Sequence, residues 1–247
     1  MVVLHLHSLS VNNQQEEAWN VSSFFIDTKV QYMERKIVAI NGTIGSGKDT
    51  FSQVFIDEGG FHRMSFATTL KDAVSVIFGW DRIMLEGHTK EAREERETID
   101  QYWSSKLGFD VTPRWVLQNF GTDVVRKHFH DNTWVFSLEN KMRQIEGNII
   151  ITDCRFPNEI KMLRENDAHL IEVQRSTPLW YSSAYTYNVL QDMSRSVPVP
   201  EALEGIHSSE WAWIGRNEPC QIVQNSGTVE DLHHAARIIM YGILDQK

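Results

Sequence analysis

A glycine-rich nonamer, GTIGSGKDT, occupies residues 42–50 and directly follows the apolar run KIVAI at residues 36–40. An apolar strand that leads into such a loop and then into a helix is typical of a phosphate-binding P-loop. Gly42 and Gly47 let the backbone turn, so that its N–H groups and the positive end of the following helix surround a polyphosphate. Lys48 would bridge the outer phosphates. The motif therefore predicts that the chain binds a nucleoside triphosphate.

The end of the loop departs from the usual pattern. The residue after the lysine is normally Ser or Thr, which contacts magnesium, but here it is Asp49, and Thr50 follows. A Gly-Lys-x-Thr ending resembles the nucleoside monophosphate kinases. The alternative is a chance glycine-rich turn, and the strand before the loop and the helix after it argue against that alternative. The loop residues expected to bind the nucleotide are Gly42, Gly45, Ser46, Gly47, Lys48, Asp49 and Thr50.

The 247 residues are enough for one large domain or two small ones. The formal net charge is −9 and there is no basic run, which argues against a nucleic-acid-binding groove. Two cysteines, Cys154 and Cys220, are too few for a disulfide framework and fit a reducing cytosol. We find no apolar stretch close to the roughly 20 residues that span a bilayer, and no signal-peptide pattern.

The hydrophobic pattern from residue 36 alternates between strands and helices, which predicts a parallel sheet with helices on both faces. Strands are expected at residues 36–41, 61–66, 148–153, 168–174 and 220–224. Helices are expected at residues 48–58, 67–78, 113–129, 133–146, 156–166 and 228–244. Residues 1–34 are interpreted as a poorly ordered extension. We therefore expect an α/β fold over residues 35–247, a three-layer α/β/α P-loop domain with a five-stranded parallel sheet.

Two insertions interrupt the alternation. Residues 79–112 contain the charge cluster KEAREERE at residues 90–97, and residues 175–219 are rich in Ser, Pro, Tyr and Trp without clear periodicity. P-loop kinases use such insertions as a substrate-binding flap and a mobile lid. The charge cluster alone fits a solvated helix face with i,i+4 ion pairs. We expect an acceptor-binding insertion at about residues 67–147 and a lid at about residues 175–219.

A second group of candidates follows the apolar strand at residues 148–153. Asp153 ends this strand, Arg155 lies two residues later, and Glu159 falls in the first turn of the next helix. Ligands collect at the carboxyl ends of parallel strands, so Asp153 would lie near Lys48 and the metal ion and would contact the ion directly or through water. Arg155 could bind a phosphate with two hydrogen bonds. The alternative is that Asp153 caps the next helix and Arg155 pairs with Glu159.

A polar stripe runs along the third predicted helix. Arg114, Gln118 and Thr122 are four residues apart and share one helix face, with Gly121 beside them. A solvated face favours Lys and Glu, so this stripe could instead line a pocket for a phosphate and a base edge. The downstream Trp134 would either stack on a base or pack in the core.

Taken in order, these motifs resemble the tailed-phage deoxynucleoside monophosphate kinases. The matching features are the Gly-Lys-Asp-Thr loop ending, the Arg-x-x-x-Gln-x-x-Gly-Thr-Asp stripe with a downstream Trp, the Asp-x-Arg-x-x-x-Glu strand end, and Asn225-Ser226-Gly227-Thr228 before the last helix. The resemblance covers about residues 36–245. It implies an adenylate-kinase-like fold, transfer of the terminal phosphate of ATP to a deoxynucleoside 5′-monophosphate with Mg²⁺, and a homodimer. A phage-encoded kinase would act in the host cytoplasm.

The resemblance also assigns roles to individual residues. Lys48 and Thr50 belong to the donor phosphates, and Asn225 and Gly227 to the nucleotide site. The acceptor-binding residues are Arg114, Gln118, Gly121, Thr122, Trp134, Arg155 and Glu159. The residues assigned to catalysis are Lys48, Asp153, Arg155 and Arg175, with Asp153 near the metal ion.

The match is loose between the fourth strand and Trp211. In that segment Arg175 and the pair His207 and Glu210 resemble lid residues. Arg175 would close over the transferred phosphoryl group. A solvated loop position is the alternative for each of these three side chains.

Three other functions share parts of this pattern. A kinase for another small metabolite, such as dephospho-coenzyme A, would have the same P-loop but not the acceptor stripe. A non-catalytic nucleotide switch would bind nucleotide without acceptor-dependent turnover. An ATP-driven nucleic-acid motor should have a basic groove, which the charge distribution does not suggest.

Overall fold

The computed structural model describes residues 35–218 and 220–246, so the extension expected over residues 1–34 lies outside it. Within the described residues, five parallel strands form one sheet. They are β1 (Ile37–Asn41), β2 (His62–Met64), β3 (Ile149–Ile151), β4 (His169–Gln174) and β5 (Gln221–Gln224). Their order across the sheet is β2-β3-β1-β4-β5, with every neighbouring pair parallel. The predicted five-stranded parallel sheet is confirmed.

Strand β1 lies at the centre of the sheet because it is apolar on both faces. Its side chains alternate between two cores: Ile37 and Ala39 belong to one, and Val38 and Ile40 to the other. A central parallel strand is covered by helices on both faces, which explains why it reads as a continuous apolar run in the sequence.

Ten α-helices connect and cover the strands in the described residues. In chain order they are α1 (Lys48–Asp57), α2 (Thr68–Phe78), α3 (Arg82–Glu86), α4 (Lys90–Glu97), α5 (Gln101–Leu107), α6 (Pro113–Gln118), α7 (Thr133–Met142), α8 (Pro157–Glu165), α9 (Tyr181–Asp192) and α10 (Val229–Leu244). A π-helix, Asn119–Phe129, continues α6. Short 3₁₀ turns lie at Glu201–Leu203 and Ser208–Glu210. Among the described helices, none is both long and apolar enough to cross a bilayer.

The helices form two layers around the sheet. On one face, Phe51 and Phe55 of α1 pack with Ala236 and Met240 of α10 against the sheet. On the other face, the core includes side chains from α7, α8 and α9. The three-layer α/β/α arrangement expected from the sequence is therefore observed.

A smaller core lies within the acceptor-binding insertion. Leu70 and Val74 of α2 pack there with Val116 of α6 and Trp134 of α7. The charge cluster forms α4, in which no side chain is buried. The solvated-helix interpretation of that cluster is confirmed.

The segment predicted as a lid differs most from expectation. It contains the helix α9, which the sequence pattern did not indicate, and the part from Leu203 to Ile214 contributes buried side chains to the main core. The predicted helix over residues 113–129 also changes type at residue 119, where α6 becomes a π-helix. π-Helical turns are rare and are often found at functional sites.

Candidate active site

The loop between β1 and α1 has the geometry of an anion cradle. Gly47 precedes α1 with φ of 97° and has no side chain to cap the first-turn N–H groups, which lack intrahelical partners. A Cβ on Gly47 would lie 2.5 Å from Nδ2 of Asn225, and one on Gly42 would lie 2.6 Å from the carbonyl oxygen of Val173. The Asn225 amide also donates to the carbonyl of Ser46 at 2.8 Å. Only glycine fits at these two turns of the loop.

Lys48 begins α1 and extends back along the loop, where its ammonium donates to the carbonyl of Thr43 at 3.2 Å. Burial lowers the pKa of Lys48, and the guanidinium of Arg155 lowers it further. The carboxylates of Asp49, Glu210 and Asp153 oppose this shift. An anion bound between Lys48 and Arg155 would relieve the repulsion between the two cations.

Two buried polar atoms beside the loop have no hydrogen-bond partner in the described part of the chain. They are Oδ1 of Asn41, at the end of β1, and Oγ of Ser46. Buried polar atoms are normally paired, so these two mark a place that a ligand or water would complete. The glycine turns, the cation pair and the unpaired atoms together fit the phosphates of a nucleoside triphosphate.

The first turn of α1 carries Asp49 and Thr50. The carboxylate of Asp49 is 72% exposed and pairs with Nη2 of Arg63 at 3.0 Å. The side chain of Thr50 is partly buried and makes no hydrogen bond to the residues described. Thr50 is therefore the more available of the two for contact with a phosphate.

Asp153 does not cap α8, the next helix along the chain, but holds the turn of residues 65–67 that leads into α2. Its Oδ2 accepts from Oγ of Ser65 at 2.6 Å and from the N–H of Ala67 at 3.0 Å, and its Oδ1 accepts from the N–H of Phe66 at 3.0 Å. A carboxylate has about four lone-pair sites. One site on Oδ1 is left for a water molecule or another donor.

Arg155 is fixed at two points. Its Nη1 donates to Oε1 of Glu210 at 2.7 Å and to the carbonyl of Ser209 at 3.5 Å. Its backbone N–H donates to Oε2 of Glu159 at 2.7 Å, as does that of Phe156 at 3.1 Å. The alternative in which the guanidinium pairs with Glu159 is wrong, because that carboxylate binds the main chain of the turn.

Glu159 is buried and pairs with Arg126, a buried residue of the π-helix that sequence reasoning missed. The guanidinium of Arg126 also lies 4.2 Å from the ring centroid of Phe156 and donates to the carbonyl of Asp131 at 3.0 Å. Burial raises the pKa of Glu159 to about 7, against the opposing effect of Arg126. The Glu159 carboxylate, expected to bind substrate, is instead engaged by the protein and holds the turn between β3 and α8.

The polar stripe is present on α6 and the π-helix, and Arg114, Gln118 and Thr122 are each partly buried. Nε of Arg114 lies 3.6 Å from Oε1 of Glu97, an ion pair too long to be a strong hydrogen bond. Gln118 and Thr122 make no side-chain hydrogen bonds within the described residues.

Gly121 and Trp134, also expected to bind the acceptor, have packing positions in this structure. Trp134 is 6% exposed, and its indole N–H donates to the carbonyl of Gly121 at 2.9 Å. A Cβ on Gly121 would lie 2.7 Å from Cδ2 of Leu70. The core alternative therefore describes Trp134, because base stacking needs an uncovered ring face.

The remaining candidates lie around the loop and after β4. Gly227 lies against Asp231, which accepts from the N–H of Thr228 at 2.8 Å and so caps α10. Arg175 is exposed and makes no hydrogen bond or ion pair with the described residues. The structure thus gathers Lys48, Asp153 and Arg155 with Glu210 at the carboxyl ends of β1 and β3. Within the described residues, neither the stripe nor Arg175 is bonded to this group.

Comparison with known proteins identifies the family. A family model described as "Deoxynucleotide monophosphate kinase" matches residues 83–183. A putative deoxynucleotide monophosphate kinase of Acanthamoeba polyphaga mimivirus is 30% identical over 153 residues, covering 56% of this chain and 74% of that protein. The chain belongs to the deoxynucleotide monophosphate kinase family. The family's deoxynucleoside-5′-monophosphate kinase from Escherichia phage T5 is 27% identical over 182 residues, covering 53% of this chain and 72% of that protein.

Solved kinase structures show a weaker likeness. The dephospho-CoA kinase of Campylobacter jejuni has a TM-score of 0.39 at 17% identity, covering 85% of this chain and 98% of that one. A gluconokinase from Sinorhizobium meliloti 1021 has a TM-score of 0.40 at 12% identity, covering 86% of this chain and 94% of that one. The P-loop kinase fold is evident from the strand order and the loop geometry themselves.

Family membership confirms the resemblance inferred from the motifs and makes the chain a nucleotide-using nucleoside monophosphate kinase. The matched region, residues 83–183, contains the polar stripe and the strand end with Asp153 and Arg155. The P-loop and Glu210 lie outside it.

Proposed function

We propose that this kinase transfers the terminal phosphate of ATP to a deoxynucleoside 5′-monophosphate and releases the diphosphate. The observation that carries the proposal is the glycine cradle that precedes α1, with Lys48 beside it and two buried oxygens, Oδ1 of Asn41 and Oγ of Ser46, without partners among the described residues. A bound phosphate would complete this cradle and would interact favourably with Lys48 and Arg155, and the transferred phosphoryl group is such an anion. Family membership supplies the reaction class.

Each residue of the site has a role in that reaction. Phosphoryl transfer depends on alignment and positive charge rather than on covalent chemistry by the protein. The loop N–H groups and Lys48 would hold the donor phosphates, and Arg155 would bind the acceptor phosphate and the charge that develops on the moving group. The acceptor oxygen is already ionised, so no strong general base is required.

Mg²⁺ would neutralise the donor phosphates and align them. Within residues 35–218 and 220–246, no group of three His, Cys, Asp or Glu side chains could hold a metal ion. That arrangement fits an ion held mainly by substrate phosphates and water, as is usual for Mg²⁺ in kinases. Asp153 would act on the ion through a water molecule at its remaining lone-pair site.

The acceptor would lie against the stripe of Arg114, Gln118 and Thr122, whose side chains are partly buried but have little protein bonding. Arg175, which is exposed after β4, would close over the transferred group. A homodimer and a cytoplasmic location also belong to this proposal, on the grounds of family resemblance.

An acceptor screen tests the proposal. ATP consumption would be measured with dAMP, dGMP, dCMP, dTMP and the four ribonucleotides, each with and without Mg²⁺. We expect magnesium-dependent turnover with at least one deoxynucleotide. Turnover with dephospho-coenzyme A alone would indicate the metabolite-kinase alternative, and ATP binding without any acceptor-dependent turnover would indicate a switch.

A further inference from the structure

The guanidinium of Arg155 is held by only one of its amino groups. Nη1 donates to Glu210 at 2.7 Å and to the carbonyl of Ser209, whereas Nε and Nη2 make no hydrogen bond to any described residue. The side chain of Glu210 is 16% exposed and that of Arg155 is 34% exposed. The partly exposed side chain of Arg155 therefore has three N–H donors, one on Nε and two on Nη2, left for a ligand.

The segment that carries Glu210 is held by hydrogen bonds and by buried side chains. Its carbonyl accepts from the indole N–H of Trp213 at 3.1 Å, and Trp213 is 2% exposed. The buried amide of Asn188, on α9, donates to the carbonyls of Trp211 at 2.8 Å and Ile214 at 2.9 Å. This platform, residues 210–214, is packed into the main core through Trp213 and Ile214.

We propose that Glu210 is a positioning residue for phosphoryl transfer: it anchors Nη1 of Arg155 so that Nε and Nη2 face the phosphate beside Lys48. The role rests on the proposed function, because it gives Arg155 its phosphate-binding geometry. A carboxylate on a mobile segment could act as a placeholder that leaves when substrate binds. Glu210 is fixed through its own backbone and its neighbours, so its contact with Arg155 persists in the substrate complex.

Replacement of Glu210 tests this role. Glu210→Ala should lower kcat/KM for the deoxynucleotide about 10- to 100-fold, since misplacement of a binding group by about 1 Å has an effect of that size. Glu210→Gln keeps an acceptor oxygen at the same reach and should recover part of the loss. Glu204→Ala, at an exposed glutamate of the same segment, is the matched control and should behave as the unmodified enzyme.

A double-mutant cycle separates positioning from a structural role. Arg155→Ala should be strongly impaired, and adding Glu210→Ala should cause less than a twofold further loss, because Glu210 acts through Arg155. Effects that multiply in the double variant would overturn the proposal, as would unchanged kinetics in Glu210→Ala. An equal loss for Glu210→Gln, accompanied by a lower Tm, would indicate a structural role and also overturn it.

Pyrophosphate binding, measured by calorimetry in the same variants, keeps this inference distinct from the proposed function. We expect weaker binding in Arg155→Ala and Glu210→Ala, with no further weakening in the double variant. That result would support positioning by Glu210 even if no deoxynucleotide were phosphorylated. Unaltered pyrophosphate binding in Glu210→Ala would contradict the positioning role whatever the acceptor proves to be.

Discussion

At the scale of single residues, the chemistry depends on how each charge near the loop is balanced. Lys48 has a carbonyl partner and a cationic neighbour, Arg155, whereas Arg155 has Glu210. No carboxylate hydrogen-bonds to Lys48 among the described residues, although Asp49, Glu210 and Asp153 act on it at longer range. Its ammonium is therefore available to the donor phosphates.

ATP binding should weaken at a lower pH than the one at which an ordinary lysine loses its proton. Burial and Arg155 disfavour the charged form of Lys48, so its pKa lies below its usual range and its proton is lost at a lower pH than that of an ordinary lysine. The affinity for ATP should fall as the pH rises through that lowered pKa, with proton uptake on binding. Calorimetry from pH 7 to 10.5 in two buffers checks this.

The control for that titration is Lys48→Arg, which keeps its charge throughout the range. Its affinity for ATP should not depend on pH in this way, whatever its absolute value. Lys48→Met should reduce turnover by about 10²–10³-fold, as expected for loss of one preorganised charge stabiliser. An ATP affinity that stays flat up to pH 10.5 in the unmodified enzyme would show that Lys48 does not hold the phosphates.

Arg126 should be a major determinant of stability. Arg126→Ala leaves the buried Glu159 carboxylate without its ionic partner, a change that typically costs about 3–5 kcal/mol in the free energy of unfolding. The loss should be greater at pH 8 than at pH 5, because at low pH Glu159 can take up a proton and become neutral. Urea denaturation at the two pH values measures it.

The raised pKa of Glu159 also predicts that the free energy of unfolding of the unmodified protein depends on pH. Its pKa of about 7 in the folded state exceeds its ordinary 4.5, so the folded state binds the extra proton between these values. The contribution of Glu159 to stability is therefore greatest at low pH and decreases as the pH rises from 4.5 to 7. Glu159→Gln should lack this component. If the unmodified protein and Glu159→Gln lose the same free energy of unfolding between pH 4.5 and 7, the buried carboxylate is not the source of the pH dependence.

At the scale of elements, the junction of the loop with α1 is the most constrained. Gly47→Ala would place a methyl group 2.5 Å from Nδ2 of Asn225. It would also force alanine into a backbone conformation with φ of 97°, which residues other than glycine rarely adopt. ATP affinity should fall by at least tenfold, as measured by calorimetry. The matched control is Gly60→Ala, where φ is 65° and nothing lies within 4 Å of the added Cβ. Both variants should share a backbone cost of about 1–2 kcal/mol, but Gly60→Ala should bind ATP normally. Equal ATP binding by both would contradict the cradle geometry.

The elements that sequence reasoning found are those with local signals. Strand β1 is a continuous apolar run, and α10 follows a capping residue, Thr228, paired with Asp231. Helix α9 was missed because only Ala184 and Asn188 are buried in it, so its apolar residues do not recur at a helical period. Its stability comes from contacts with distant segments rather than from its own pattern.

At the scale of the whole molecule, the site residues that could be located from the sequence follow recognisable strands, Lys48 after β1 and Asp153 and Arg155 after β3. Lys48, Asp153 and Arg155 meet because parallel strands end at the same edge of the sheet. The partners of Arg155 could not be predicted, because Glu210 lies 55 residues away. Arg126 and Glu159 are 33 residues apart, and an arginine within a polar helix has no local feature that marks it as buried.

The central claim is that phosphate passes from ATP to a deoxynucleoside monophosphate in a site built around Lys48. The most direct test is to incubate the protein with γ-³²P-labelled ATP, Mg²⁺ and the deoxynucleoside monophosphates, and to separate the products. We predict labelled deoxynucleoside diphosphate in equal amount to the ADP formed, and its near-absence with Lys48→Met. Label found only in inorganic phosphate, or an equal yield of diphosphate from Lys48→Met, would contradict the account.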